Sequence, residues 1–364
     1  MSKKQIRMRL NPEEASVVQS YREIKDQSNA MGLDDRDVHS GWLKTKEASL
    51  RFVNPNFGGG MKPEEIRELI SSAISKLEPR VYERPKTTNE KALRAVISDC
   101  HVGMDSSDPD SVFAFEYNEK IFNSHLNHVF ENLKKEIDYH GVFDTIFIDD
   151  LGDALDGMDG ETTRGGHRLP QNMSNKEQWR AYVENKLQFV VDAVNLQGAK
   201  NYVFRSVSNC NHSGDFGWTA NTAIKMVVDR MFPNVEYIIL NKHAEHFKYG
   251  NHTFILAHGK DKSFMTRGWP LHLNDKTSNT IRQYIDHFNI TSPYIHVDKG
   301  DLHKVAYDRE PKFDYRSFMS FAPPSGWVQA NFGVSYCGYS LQIIPKHTND
   351  IQHTDIFFDL KIKK

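Results

Sequence analysis

Five short apolar runs, each followed directly by acids, amides or imidazoles, constrain this chain more than any other feature. The runs are LRAVIS, DTIFIDDL, YVFRSVS, HTFILA and YIHVDK. Each has the length and the β-branched or aromatic content of a buried strand. Open α/β sheets bind their ligands at the carboxyl ends of strands. We therefore expect the polar residues that accompany the five runs to meet at one edge of the fold.

The polar residues at the ends of these runs form five clusters with the donors of a metal site. The clusters are Asp99-Cys-His101, Gly152-Asp153-Ala-Leu-Asp156-Gly157, Asn211-His212, His258 and Asp301-Leu-His303. Mixed nitrogen and oxygen donors suit Mn, Fe, Zn or Ni better than Mg or Ca. The amide and the imidazoles are neutral ligands, so the site does not collect an excess of negative carboxylates. This balance leaves a positive electrostatic field for phosphate. The sequence therefore predicts two divalent metal ions, with Mn as the first expectation and Fe, Zn or Ni as alternatives.

The composition predicts a folded protein without a strong charge. The chain has 364 residues, of which 38% are apolar and 11% aromatic, enough for a substantial core. Lys plus Arg number 46 and Asp plus Glu 48, so the net charge of −2 does not indicate a polyanion partner. Any electrostatic field that attracts phosphate must therefore come from a local group of residues and not from the net charge of the protein.

The expected compartment is the cytoplasm. No apolar segment approaches the length that crosses a bilayer, and the first ten residues, MSKKQIRMRL, lack the apolar core of a signal peptide. Cys100, Cys210 and Cys337 are odd in number and widely spaced, which argues against a disulfide framework. We expect no membrane partner, and the sequence leaves the oligomeric state open.

The pattern along the chain predicts two regions. Residues 1–90 are expected to form a small helical N-terminal extension and linker, with helices at 11–32 and 62–77 and a short strand-like stretch through Trp42 and Phe52. Residues 91–364 are expected to form an α/β domain in which apolar runs alternate with helices. The expected helices lie at 117–139, 174–196, 217–231 and 276–289. After Gly300 the pattern is mostly β.

The motif order D-x-H, GDxxD, NH, H and G-x-x-H, each at a strand end, resembles the calcineurin-like metallophosphoesterase superfamily over residues 93 to 310. The resemblance implies a four-layer α/β/β/α sandwich and a hydrolase with a dinuclear metal site. Carried over by motif, Asp153 would bridge the two metals. The first metal would be held by Asp99, His101, Asp153 and His303, and the second by Asp153, Asn211, His258 and Asp301.

The same resemblance implies the catalytic groups. A hydroxide bridging the metals would attack phosphorus, and His212 would contact the phosphate and protonate the leaving oxygen. Asp156 would contact the His212 ring on the side away from the substrate, which fixes the tautomer of the ring and raises its basicity.

The chain departs from the family pattern in three places. Cys210 stands before Asn211 where a glycine is usual, and Ser213 follows His212 where an acid is usual. The usual Gly-His-x-His reads Gly300-Asp301-Leu302-His303, so that a carboxylate replaces an imidazole.

The third departure concerns contacts to phosphate. Gly157 stands where the family often has an arginine after GDxxD. We expect Arg164, His167 or Arg168 to make substrate contacts instead, from the polar loop 158–175 that follows the GDxxD motif.

The substrate class is the finer prediction. The run from Ile97 to Gly103 is similar to the first motif of Mre11/SbcD-type nucleases, and the stretch after His258 resembles phosphoesterases encoded by bacteriophages. Both favour a phosphodiesterase or nuclease, with nucleic acid as the candidate substrate. The chain has little room after His303 for the capping domain of those nucleases. A protein or small-molecule phosphomonoesterase is the alternative, and a non-catalytic metal-containing binding protein is the third interpretation.

Overall fold

The computed structural model describes residues 40–44, 49–53, 68, 70, 71, 85, 86 and 88–360, apart from 108–110, 264 and 266. By its internal contacts the chain divides into two compact units, 1–65 and 66–364. The helix expected at 11–32 and most of the helix expected at 62–77 lie outside the described residues. The boundary expected at residue 90 stays a prediction.

The first unit contains a β-hairpin. Strand β1 (Ser40–Lys44) pairs antiparallel with β2 (Ser49–Val53), and Ser40 lies opposite Val53. The hairpin occupies the strand-like stretch expected through Trp42 and Phe52.

The second unit contains eleven further strands and five helices among its described residues. The strands are β3 (Lys91–Ile97), β4 (Phe143–Asp150), β5 (Ala199–Val207), β6 (Glu236–Leu240), β7 (Glu245–Tyr249), β8 (His252–Ala257), β9 (Tyr294–Lys299), β10 (Ala306–Arg309), β11 (Asp314–Ser317), β12 (Gly338–Pro345) and β13 (Gln352–Phe357). The helices are α1 (Glu119–His140), α2 (Asn175–Asn195), α3 (Gly214–Met231), α4 (Asp275–His287) and α5 (Gly326–Phe332). All five apolar runs of the sequence are strands, and the four predicted helices are present to within about three residues at each end.

The strands form two sheets, and both carry candidate ligands at their carboxyl ends. The six-stranded sheet has the order β13-β12-β3-β4-β5-β6, in which β3 to β6 are parallel. The five-stranded sheet has the order β10-β11-β9-β8-β7, in which β8 and β9 are parallel. The five runs therefore divide between the sheets, three in the first and two in the second.

Four layers result from how these sheets bury their apolar faces. Phe147 and Leu151 of the first sheet meet Phe254 and Leu256 of the second in a shared core. Helices α1 to α3 pack against one another, with α1 on β3 and α3 on β6. On the outer face of the second sheet, Ile281 of α4 packs among apolar side chains of β8, β9 and β11. The predicted α/β/β/α sandwich is confirmed.

The C-terminal part differs from the expected β pattern by one helix. Helix α5 begins where the Ser325 side chain accepts a hydrogen bond from the backbone N–H of Val328. This cap starts a helix directly after Pro323 and Pro324, where the sequence has no apolar periodicity that predicts a helix. Among the described helices, none is long and apolar enough to cross a membrane.

A buried ion network joins the two sheets. Arg94 of β3 is fully buried and donates from Nε to Asp149 Oδ2 of β4 and from Nη1 to Asp298 Oδ2 of β9, both at 2.5 Å. Its Nη1 also donates to Gln342 at 2.9 Å, and Arg205 forms a second ion pair with Asp149 at 2.8 Å. The guanidinium of Arg94 thus fixes β3 and β4 against β9 at the level just before their ligand-bearing ends.

We predict that Arg94→Met lowers the free energy of unfolding by about 3–5 kcal/mol, because Asp149 and Asp298 lose a buried partner. Arg180→Met is the matched control. Its guanidinium pairs with Glu119 and Glu184 but is 39% exposed, so the loss should stay below about 1 kcal/mol. Denaturant unfolding measures both, and equal losses would contradict the role given to Arg94.

Candidate metal centre

The candidate ligands lie on tight turns at the strand ends. Five of the seven have a left-handed backbone, with φ between 41° and 71°, a conformation that costs a residue with a Cβ about 1–3 kcal/mol. These five are Asp99, His101, Asp153, Asp301 and His303. Such strain collects at functional sites. The turns aim consecutive polar side chains away from the sheet pleat and toward one point.

Neighbouring loops hold these turns in place through the backbone. The amide of Asp99 donates to Gly152 O at 2.9 Å, and the amide of His101 donates to Asp153 O at 2.8 Å. On the other side, Ser320 Oγ donates to Asp99 O at 3.0 Å, and the Ala322 amide donates to the same oxygen at 3.2 Å. The DxH turn is therefore fixed between the GDxxD loop and the segment before α5.

The first group of ligand atoms has the spacing of donors around one cation. His101 Nε2 and His303 Nε2 are 3.3 Å apart, and Asp99 Oδ1 lies 3.8 Å from the first and 3.4 Å from the second. Donors bound at about 2.1 Å sit about 3.0–3.4 Å apart in tetrahedral or octahedral geometry. Asp99 Oδ1 is also buried without a hydrogen-bond partner among the described residues. These donors fit a metal ion.

The second group is centred on His258. Its Nδ1 donates to Leu151 O at 2.8 Å, so Nε2 is the nitrogen that faces the group. Asp153 Oδ2 and Asn211 Oδ1 both lie 3.0 Å from this Nε2, and Asp301 Oδ1 lies 4.0 Å from it. Three oxygens and one nitrogen therefore surround a second position that a divalent cation fits.

Asp153 lies between the two groups. Ligand atoms of Asp153, Asp99 and His258 all fall within 4.8 Å of one another. The other carboxylate oxygen, Oδ1, accepts the backbone N–H of His212 at 3.0 Å, which fixes the rotamer. Asp153 therefore connects the second donor group to Asp99 of the first.

The cluster is strongly attractive to positive charge. Burial acts to lower the pKa of His258, but Asp153, with Asp99 and Asp301, raises it to about 10. Burial acts to raise the pKa of Asp99, but His303, with His258 and His101, lowers it to about 2. The carboxylates therefore stay ionised inside the protein and favour any cation that enters.

Asp156 lies beside His212 and also contacts His101. Its carboxylate Oδ1 lies 3.2 Å from Nδ1 of His101 and 3.7 Å from Nδ1 of His212. The backbone carbonyl of Asp156 lies 3.1 Å from His212 Nδ1. Burial acts to lower the pKa of His212, but Asp153 and Asp156 raise it to about 9. Asp156 therefore orients both rings. The two rings meet edge to face, with centroids 4.5 Å apart.

Loop 158–175 lies against the Asn211-His212 turn, as expected. The amides of Thr163 and Arg164 donate to the carbonyls of His212 and Asn211, each at 2.9 Å. The Arg164 guanidinium pairs with Asp261 at 2.5 Å. His167 is exposed, and Arg168 is 71% exposed beside Glu161, at 3.9 Å. Of the three expected substrate residues, Arg164 alone is shown in contact with the ligand-bearing loops.

Sequence reasoning missed the residues that support the ligands. Ser98 Oγ donates to Asp99 Oδ2, the oxygen turned away from His303. Lys299 is fully buried, and its Nζ donates to Trp269 O at 3.0 Å. Ser98 and Lys299 each stand one or two residues before a motif acid, which is the one signal that could have identified them.

The layers, the sheet order and the convergence of the motif residues from both sheets together decide the architecture. It is the four-layer α/β/β/α architecture that the family resemblance of the sequence implied.

Similar solved structures include wild-type Vps29 complexed with Zn²⁺ from Entamoeba histolytica, with 14% identity and a TM-score of 0.32 over 73% of this chain and 99% of that one. An archaeal phosphodiesterase matches with 11% identity and a TM-score of 0.33 over 73% and 99%. A dimetal phosphatase from Danio rerio matches with 7% identity and a TM-score of 0.36 over 72% and 95%.

No protein-family model and no curated protein sequence matches the chain.

We predict that Gly152→Ala removes the metal at the second position and leaves the fold intact. Gly152 has φ +107°, and a Cβ there would lie 2.9 Å from His258 Nδ1, so the ring must leave its bond to Leu151. The metal content measured after gel filtration should fall from two ions per chain to one.

Gly141→Ala is the matched control. Gly141 also has a positive φ, +76°, but a Cβ there meets nothing within 4 Å. The Gly141→Ala variant should therefore carry backbone strain from the positive φ and still keep both metals. Loss of metal in both variants, or in neither, would contradict the role assigned to the Gly152 turn.

Proposed function

We propose that this protein is a hydrolase that cleaves phosphoesters with two divalent cations. The observation that carries the proposal is the pair of buried donor groups, drawn from both sheets, that meet where Asp153 and His258 approach Asp99. The first cation would be held by Asp99, His101, His303 and Asp153, and the second by Asp153, Asn211, His258 and Asp301. Manganese is the proposed metal because these donors mix imidazole with hard oxygen.

When bound, two such cations polarise the phosphoester and lower the pKa of water, which makes attack on phosphorus possible near neutral pH. The chain itself supplies the proton for the leaving group. His212 Nδ1 is held by the Asp156 carbonyl, so Nε2 is the nitrogen left to act on substrate. The His212 side chain is 21% exposed, whereas His101 beside it is 1% exposed. Of these two rings, His212 is the one that substrate can reach, and it acts as the general acid.

The charge of the site favours a phosphodiester. Asp99, Asp153 and Asp301 would bind the cations, and Asp156 lies directly behind His101. The four carboxylates carry as much negative charge as two divalent ions carry positive charge. The guanidinium of Arg164 is engaged by Asp261 and adds little free positive charge. A diester carries one negative charge and a monoester close to two, so the diester is the better match. We extend the proposal to nucleic acid as the natural diester substrate.

The first test compares hydrolysis of bis-p-nitrophenyl phosphate and p-nitrophenyl phosphate by manganese-loaded protein, with Asp153→Asn as the blank. We expect kcat/KM for the diester to exceed that for the monoester by about tenfold, or about 1.4 kcal/mol of transition-state stabilisation. DNA and RNA would then be tested.

A reversed preference would replace the proposal with a phosphomonoesterase. Two bound metals without turnover of either ester above the blank would identify a non-catalytic metal-binding protein.

We predict that His212→Ala keeps both metals and lowers kcat about 10²–10⁴-fold, because a general acid is lost and no ligand is. Asp153→Asn should lose metal and activity together. His272→Ala is the control, since this exposed ring pairs with Asp308 away from the ligands. Metal content and kcat are measured on the same samples. Full turnover by the His212 variant would remove it from the mechanism.

A further inference from the structure

The two donor groups are chemically unequal. Beside the shared Asp153, the first group has two imidazoles and one carboxylate, from His101, His303 and Asp99. The second has one imidazole, His258, with an amide oxygen and the carboxylate of Asp301. The first group is thus half nitrogen, whereas the second is three-quarters oxygen. The difference depends on Asp301.

The position of Asp301 is built into the loop. Its backbone has φ 71°, and its amide donates to Asp99 Oδ2 at 3.2 Å. Oδ1 is turned toward His258 Nε2, and Oδ2 lies 3.2 Å from where a Cβ on Gly268 would sit. The side chain is 10% exposed. The carboxylate is therefore held between the donor group and Gly268.

Lys299 places a buried positive charge near this extra carboxylate. A Cβ on Gly259 would lie 3.3 Å from Lys299 Nζ and 3.4 Å from Asp301 Cβ, so the absence of a side chain at Gly259 lets both approach one point. Lys299 donates to the carbonyl of Trp269 and to no carboxylate in the described contacts. It acts on Asp301 through its field.

We propose that Asp301 makes the second position selective for Mn²⁺ relative to Zn²⁺, and that Lys299 offsets its charge, so that the two positions prefer different metals. This inference rests on the proposed function, since it assumes that the two donor groups hold cations. Imidazole suits Zn²⁺, and carboxylate and amide oxygens suit Mn²⁺. Zn²⁺ then occupies the position with two imidazoles, and Mn²⁺ the position with one.

The test uses full-length protein stripped with a chelator and loaded with one equivalent of Zn²⁺ followed by one of Mn²⁺. Pulsed electron paramagnetic resonance counts the imidazole nitrogens coupled to Mn²⁺. We expect coupling to one imidazole, that of His258. Coupling to two imidazoles would place Mn²⁺ with His101 and His303 and overturn the proposal.

Asp301→His tests the selectivity directly. Competition against a metal-buffering chelator gives the affinities for Zn²⁺ and Mn²⁺ at the second position. The ratio of Zn²⁺ to Mn²⁺ affinity should rise about tenfold or more, and the Mn²⁺ signal should gain a second imidazole. A ratio that stays within twofold of the wild-type value would overturn the role of Asp301.

Lys299→Met separates charge from donor type, because it removes the ammonium and keeps a chain of similar length. Both affinities should rise together, about tenfold, with their ratio unchanged. Unchanged affinities in a variant that melts like the wild type would overturn the role of Lys299. If Lys299→Met fails to fold, Lys299→Arg, which keeps the charge, should retain the wild-type affinities, and a tenfold change there would overturn the role instead.

The outcomes keep the two claims apart. Metals bound as described without hydrolysis of any phosphoester would end the proposed function and leave the metal preference standing. Phosphoester hydrolysis by protein in which Mn²⁺ is coupled to two imidazoles would end the metal preference and leave the proposed function standing. Wild-type protein that binds neither metal would end both.

Discussion

The buried contact between Arg94 and the carboxylates of Asp149 and Asp298 is the constraint on which the site depends. Each sheet carries only part of the ligand set, so neither donor group exists unless the sheets face each other in one register. The apolar core between them is non-directional and permits sliding, whereas a guanidinium with fixed N–H directions does not. The geometry of the ligands is therefore set partly by an ion network that contains no ligand.

The second constraint is backbone strain at the strand ends. Left-handed turns at Asp99, Asp153 and Asp301 hold carboxylates close together, an arrangement that is unfavourable until cations arrive. The protein offsets this repulsion between carboxylates with backbone hydrogen bonds between the loops and with the imidazoles that lie among the carboxylates. The stability of the sandwich thus maintains a site that the loops alone would not form.

The sequence predicted the strands and the convergence of the polar residues at their ends because strand periodicity and the position of those residues are local signals, whereas the four layers were implied by the family resemblance. It did not predict the supports. Ser98 supports its sequence neighbour Asp99 without belonging to the motif, and Lys299 acts through a tertiary contact with Trp269 that no spacing rule encodes. The sequence predicted Asp156 beside His212 but not its additional contact with His101. Helix α5 was missed because a single serine cap, and no periodicity, starts it.

Anomalous diffraction from a crystal of manganese-loaded protein tests most directly whether Asp153 joins two metal positions. We expect two peaks about 3.5–4 Å apart, one beside His101 and His303 and one beside His258, with the Asp153 carboxylate between them. A single peak, or two peaks that do not share Asp153, would contradict this expectation.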